Sequence, residues 1–139
     1  MKADFQRAAD EHRWNLRDAT VTQLVIDPAS VRIVSWHLRG STDIRLGQCF
    51  TYTEADGTER LVDPGHPEQA APLLALVTHR IDEVTVHRSG VLHLRFGDGS
   101  RIRIEPHPQF EAWEARGEGA LGDLNYLCIP GGGPPWGAA

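Results

Sequence analysis

Between Gly90 and Pro106 the chain reads Val91-Leu92-His93-Leu94-Arg95-Phe96, then Gly97-Asp98-Gly99-Ser100, then Arg101-Ile102-Arg103-Ile104-Glu105. Apolar and polar residues alternate on both sides of a glycine-rich turn, the pattern of a β-hairpin with one dry and one wet face. Leu92, Leu94, Phe96, Ile102 and Ile104 are expected inside, and the histidines and arginines between them in water. The preceding strand, Ile81 to His87, matches this parity if Val84 and Val86 face Leu92 and Leu94. That requires the odd-length loop Arg88-Ser89-Gly90, with Gly90 in the left-handed region. The same argument sets Phe96 against Ile102 and Leu94 against Ile104 around Asp98-Gly99-Ser100, so residues 81–105 read as a three-stranded meander.

The rest of the chain is organised around similar units. Val21 to Ile26 and Val31 to Leu38 are rich in β-branched residues and flank Asp27-Pro28-Ala29-Ser30, a turn. A strand is predicted from Asp43 to Thr53, with Ile44, Leu46, Phe50 and Tyr52 on one face and Gly47 as a bulge. An Asp56-Gly57 turn would place Tyr52 opposite Leu61 in the next strand, Thr58 to Val62. A short helix, about residues 70–78, carries Pro72 in its first turn and packs Leu73, Leu74, Leu76 and Val77 on the sheet. Residues 3–12, with Phe5, Ala8, Ala9 and His12 near one face, read as an N-terminal helix. Residues 109–115 fit a helix or a strand; strand is preferred, because Leu124 to Ile129 can close a hairpin with it. The fold class is α+β: a curved, mainly antiparallel sheet of six to eight strands, the short helix and the N-terminal helix. Residues 1–18 form a helical segment, 19–130 a single β-rich domain, and 131–139 a Gly/Pro-rich tail.

A chain of 139 residues suits one core. The longest apolar run, Ala70 to Val77, is too short to span a bilayer, and Met1 to Arg7 lacks the apolar segment of a signal peptide, so a cytoplasmic protein without membrane contact is expected. In a reducing compartment Cys49 and Cys128 are expected to be buried thiols. Lys2 is the only lysine, a usage suggesting a GC-rich bacterial genome. The net charge is −5. Much of it lies in two stretches after hairpins, Glu54 to Glu68 and Glu105 to Asp123. Such a surface disfavours nucleic acid and suits a basic protein partner.

Recognisable catalytic chemistry is missing from the pattern. His66 with Glu68 and His107 with Glu111 are loose pairs at proline corners without zinc spacing, so no metal or cofactor is expected. His87 and His93 have outward parity, with His93 across from Thr85. No nucleophile elbow or phosphate loop occurs, and Gly131-Gly132-Gly133 runs into Pro134-Pro135 rather than a helix. Cys49 is the one thiol that a hydrolase could use with a distant histidine. Trp36 and Trp113 read as core, and Trp14 and Trp136 as exposed anchors.

Three motifs, Leu94-Arg95-Phe96-Gly97-Asp98-Gly99-Ser100, Glu111-Ala112-Trp113 and Cys128-Ile129-Pro130-Gly131-Gly132 followed by Trp136, resemble over about residues 20–136 a bacterial family of unknown function. The hairpin followed by Glu-Ala-Trp is also similar to small immunity proteins that neutralise toxins. That resemblance implies no catalytic residues. The expected function is a non-catalytic protein-binding domain, an immunity-type inhibitor that occludes a basic toxin through Asp56, Glu59, Asp63, Glu111, Glu114, Glu118 and Trp136. The alternatives are a small-molecule module with a pocket between helix and sheet, and a hydrolase. An exposed edge strand offers a route to a homo-oligomer.

Overall fold

The computed structural model describes residues 4–7, 10–38, 40–119 and 124–134. Among the described residues eleven strands form one curved, open antiparallel sheet: β1 (Asp4–Arg7), β2 (Glu11–Ile26), β3 (Val31–His37), β4 (Gly40–Leu46), β5 (Phe50–Thr53), β6 (Glu59–Val62), β7 (Arg80–His87), β8 (Leu92–Phe96), β9 (Arg101–Ile104), β10 (Trp113–Gly119) and β11 (Asn125–Leu127). Their spatial order is β11-β10-β4-β3-β2-β7-β8-β9-β5-β6, with β1 beside the first half of β2. The strand count exceeds the six to eight expected. The N-terminal helix is not there: residues 4–7 pair with 12–15 as strands, and β2 runs unbroken through the boundary drawn after residue 18. Few apolar residues mark 11–15 as a strand; pairing with β7 from Glu11↔His87 to Asn15↔Glu83 supplies what local pattern lacks.

The curvature follows from one short connection. The expected strand from Asp43 to Thr53 is two strands, and residues 47–49 carry the chain from β4 to β5, six places away in the sheet. In a flat sheet that separation would be roughly 29 Å, whereas the link from Leu46 to Phe50 reaches about 14 Å at most. The sheet therefore has to bend around its apolar face. Gly47 is the corner of this link and not a bulge: its amide donates to the Ala112 carbonyl at 2.8 Å.

Parity in the meander is as expected. Leu92, Leu94, Phe96, Ile102 and Ile104 are all buried, Val84 faces Leu94, and Gly90 has φ +99°. The β8–β9 register differs by two residues: Leu94 faces Ile102 and Leu92 faces Ile104. Asp98 accepts from the Ser100 amide at 2.9 Å and its hydroxyl at 2.5 Å, closing the loop over residues 97–99. A slip of two leaves every side chain on its own face. At β5–β6 the slip is one: Tyr52 faces Arg60 and Leu61 faces Thr51, which turns Leu61 out to solvent. The loop there is Glu54 to Thr58, with Asp56 accepting from the Thr58 amide, not a two-residue turn.

A 3-10 helix, Pro67–Leu76, returns the chain to β7. Pro67 opens it, Pro72 lies inside, and Ala70, Leu73 and Leu76 are buried in the core, while Leu74 points to solvent, contrary to expectation. The C-terminal end docks on the loop between β7 and β8. Trp113 Nε1 donates to the Gly90 carbonyl at 2.8 Å and the Cys128 thiol approaches the same oxygen at 3.4 Å. Gly131 donates to His107 and Gly133 to Ser89. The Glu-Ala-Trp and Cys-x-Pro-Gly-Gly motifs thus make one structural joint.

Candidate functional site

Successive strand residues point to opposite faces, so the register sorts the outward side chains into rows across the sheet. One row runs Glu118, Ser41, Trp36, Thr20, Arg80 across β10, β4, β3, β2 and β7. Trp36 is 58% exposed and Leu38, at the tip of the same hairpin, is wholly exposed. The expected roles of two tryptophans are therefore exchanged. Val31, Ile33 and Ser35 point inward, which sends Trp36 outward, whereas Trp14 is buried with its ring 5.0 Å from that of Tyr126. Trp113 is buried as expected, and Trp136 lies outside the described residues.

The six acidic residues expected at the interface do not form one surface. Asp56 and Asp63 are used in turns, accepting from the Thr58 amide at 2.9 Å and the Gly65 amide at 2.8 Å. The Thr58 amide, then its hydroxyl, hold the Asp56 carboxyl below its ordinary range. Glu114 pairs with Arg116 at 2.7 Å. Glu59, Glu111 and Glu118 are exposed and have no ion-pair partner among the described residues. Asp63 and Glu111 flank the 47–49 link, since Asp63 lies beside the Cys49 thiol and Ala112 is bonded to Gly47. Glu118 stands apart, two strands from Trp36.

Cys49 is exposed, not buried as expected. Partial burial of the sulfur and then the Asp63 charge push its thiol above the usual range, the opposite of what a nucleophilic thiolate needs. Cys128 is buried, and burial raises its thiol too. Among the described residues no three His, Cys, Asp or Glu side chains are grouped to hold a metal ion.

The densest polar array lies on the outward face of β2, β7, β8 and β9, where the sequence suggested only solvated residues. Arg95 approaches Glu83 at 3.6 Å, Glu83 approaches Arg13 at 3.6 Å, and Arg13 pairs with Glu11 at 2.6 Å. Glu11 lies 3.7 Å from His87, whose ring centroid is 5.5 Å from that of His93. Arg103 donates to His93 Nε2 at 3.1 Å and reaches Glu105 at 3.2 Å. Burial, then Arg103 and His87, depress the His93 pKa, which favours the neutral ring that can accept from Arg103. The available signal was polar residues spaced two apart in consecutive strands with alternating charge; each strand read alone does not reveal the chain of contacts.

A protein-family model described as a family of unknown function matches residues 12–135. No curated protein and no solved structure matches the chain.

Proposed function

We propose that this chain, which belongs to the family of unknown function DUF6188, is a non-catalytic protein-binding domain that engages a basic partner through the β3–β4 hairpin. The observation that carries the reading is the exposure of Trp36 and Leu38 in a chain that fully buries Trp14 and Trp113. Tryptophan is the residue type most enriched at binding hot spots, because one side chain removes a large apolar area from water at a low entropy cost. Glu118 in the same row places one carboxylate without an ion-pair partner among the described residues on the rim, Glu114 being paired with Arg116, and the net charge of −5 favours a basic partner over an acidic one. A toxin neutralised by occlusion is the partner suggested by the sequence resemblance to immunity proteins.

The alternatives have less support. Ala70, Leu73 and Leu76 fill the contact between helix and sheet where a small-molecule pocket was expected, and a raised Cys49 thiol suits a hydrolase poorly. The test is co-expression with a basic protein encoded beside the gene, followed by calorimetry on the purified pair. A one-to-one complex is expected, weakened by Trp36→Ala by about 2 kcal/mol, or roughly 30-fold. Glu118→Lys should slow association mainly at low salt. No complex, or one indifferent to both changes, refutes the proposal.

A further inference from the structure

We infer that the outward face of β8, β9 and β5 is a binding site for a phosphate-type dianion. The register places six side chains in two rows: His93, Arg103 and Thr51, then Arg95, Arg101 and Thr53. Three are arginines, two carry hydroxyls, and none is a carboxylate, although acidic residues outnumber basic ones in the chain as a whole. The carboxylates stand at the perimeter: Glu83 opposite Arg95, Glu59 opposite Thr53, and Glu105 beyond Arg103. Arg95 and Arg101 are direct cross-strand partners, an arrangement that repels and that Glu83, 3.6 Å from Arg95, offsets on the Arg95 side only. Arg101 has no ion-pair partner among the described residues. Arg103 is steadied by His93 and Glu105, leaving a fixed third guanidinium on the same face. A tetrahedral dianion over this block would accept from two guanidinium forks, relieve their repulsion and take further bonds from the threonine hydroxyls, which lie on the same face.

The experiment follows the arginine Nε–Hε signals of the whole chain by NMR as inorganic phosphate is added at constant ionic strength set by chloride. Saturable shifts at Arg95, Arg101 and Arg103 are expected, with Arg116 unmoved. Arg101→Thr should weaken binding by about tenfold or more, the loss of one charge-assisted bond. Arg101→Lys, which keeps the charge but not the fork, should recover part of it. Phosphoserine binding more tightly than inorganic phosphate would assign the site to a monoester, and the reverse order to free phosphate. Shifts that rise linearly, or that persist unchanged in a folded Arg101→Thr, overturn the inference. Thermal melting supplies a second readout: at ten times Kd, phosphate should raise Tm by about 5 °C in the parent chain and not in Arg101→Thr.

Discussion

Gly131 and Gly132 are adjacent, and both have φ +82°, yet replacing each with alanine should have different consequences. The cost of holding alanine in the left-handed region, about 1 kcal/mol, is common to both. A Cβ on Gly131 meets nothing within 4 Å. On Gly132 it would stand 2.9 Å from the Ser89 carbonyl oxygen and 3.1 Å from Pro106 Cγ. That oxygen is backbone and already accepts from Gly133 at 3.0 Å. Relieving the overlap therefore stretches a hydrogen bond worth about 1 kcal/mol and adds packing strain of about the same size. Gly132→Ala should thus be about 2 kcal/mol less stable than Gly131→Ala, a Tm gap of roughly 6–10 °C. Urea titration of both variants reads the difference, and hydrogen exchange at the Gly133 amide should accelerate only in Gly132→Ala. Two variants within about 0.5 kcal/mol of each other would refute the docking of this tail on the β7–β8 loop.

Trp113→Phe removes the donor to Gly90 and part of a buried ring, and should cost about 3 kcal/mol by denaturant titration. Leu61→Ala should stay within about 0.5 kcal/mol of the parent and Val62→Ala should lose about 2 kcal/mol, because Val62 rather than Leu61 is buried; equal losses would restore the sequence-derived register. His93, depressed in the folded chain, takes up its proton more readily when unfolded. Stability should therefore fall as pH drops below 6.5 toward the folded value, and His93→Gln should flatten that slope in melts at stepped pH. The carboxyls of Asp27, held low by the Ala29 amide and Ser30 hydroxyl, and of Asp98, held low by Ser100 against the effect of burial, shift the other limb. Their stabilisation is present above the unfolded carboxyl value and is lost as pH falls through the folded one, so Asp27→Asn should flatten the acid side of the profile.

The meander was legible because its alternation is strict and its loops are short. The two-residue slip between β8 and β9 was invisible to parity, since either register buries Phe96 and Ile102. At β5–β6 the Asp-Gly pair suggested a tight turn, but the Asp56 side chain closes a longer loop by bonding Thr58, and one residue of error turned Leu61 around. The first strands were not legible, because Glu11 to Asn15 contains a single large apolar residue and owes its conformation to partners elsewhere in the chain. Trp36 was misplaced for a related reason: Val31 to Leu38 is apolar on both parities, and which one faces inward is set by the buried Ser35–Thr42 contact with β4.

Most of the described residues that carried the resemblance are buried or bonded within the fold, Glu111 being exposed. Phe96 is buried and Asp98 closes a loop, Trp113 and Cys128 converge on Gly90, and Gly131 bonds the His107 carbonyl. These contacts help hold the curved sheet around its core. Trp36, Leu38 and Glu118 on one stretch of the outward face, and Arg101 on another, fall outside all three motifs, whereas Arg95 stands within the first. Replacing Trp36, Leu38, Glu118 or Arg101 removes no fully buried side chain, whereas replacing Arg95 also removes its contact with Glu83. Recognition by this chain is consequently to be sought in the outward rows of its sheet, where a substitution leaves the core in place.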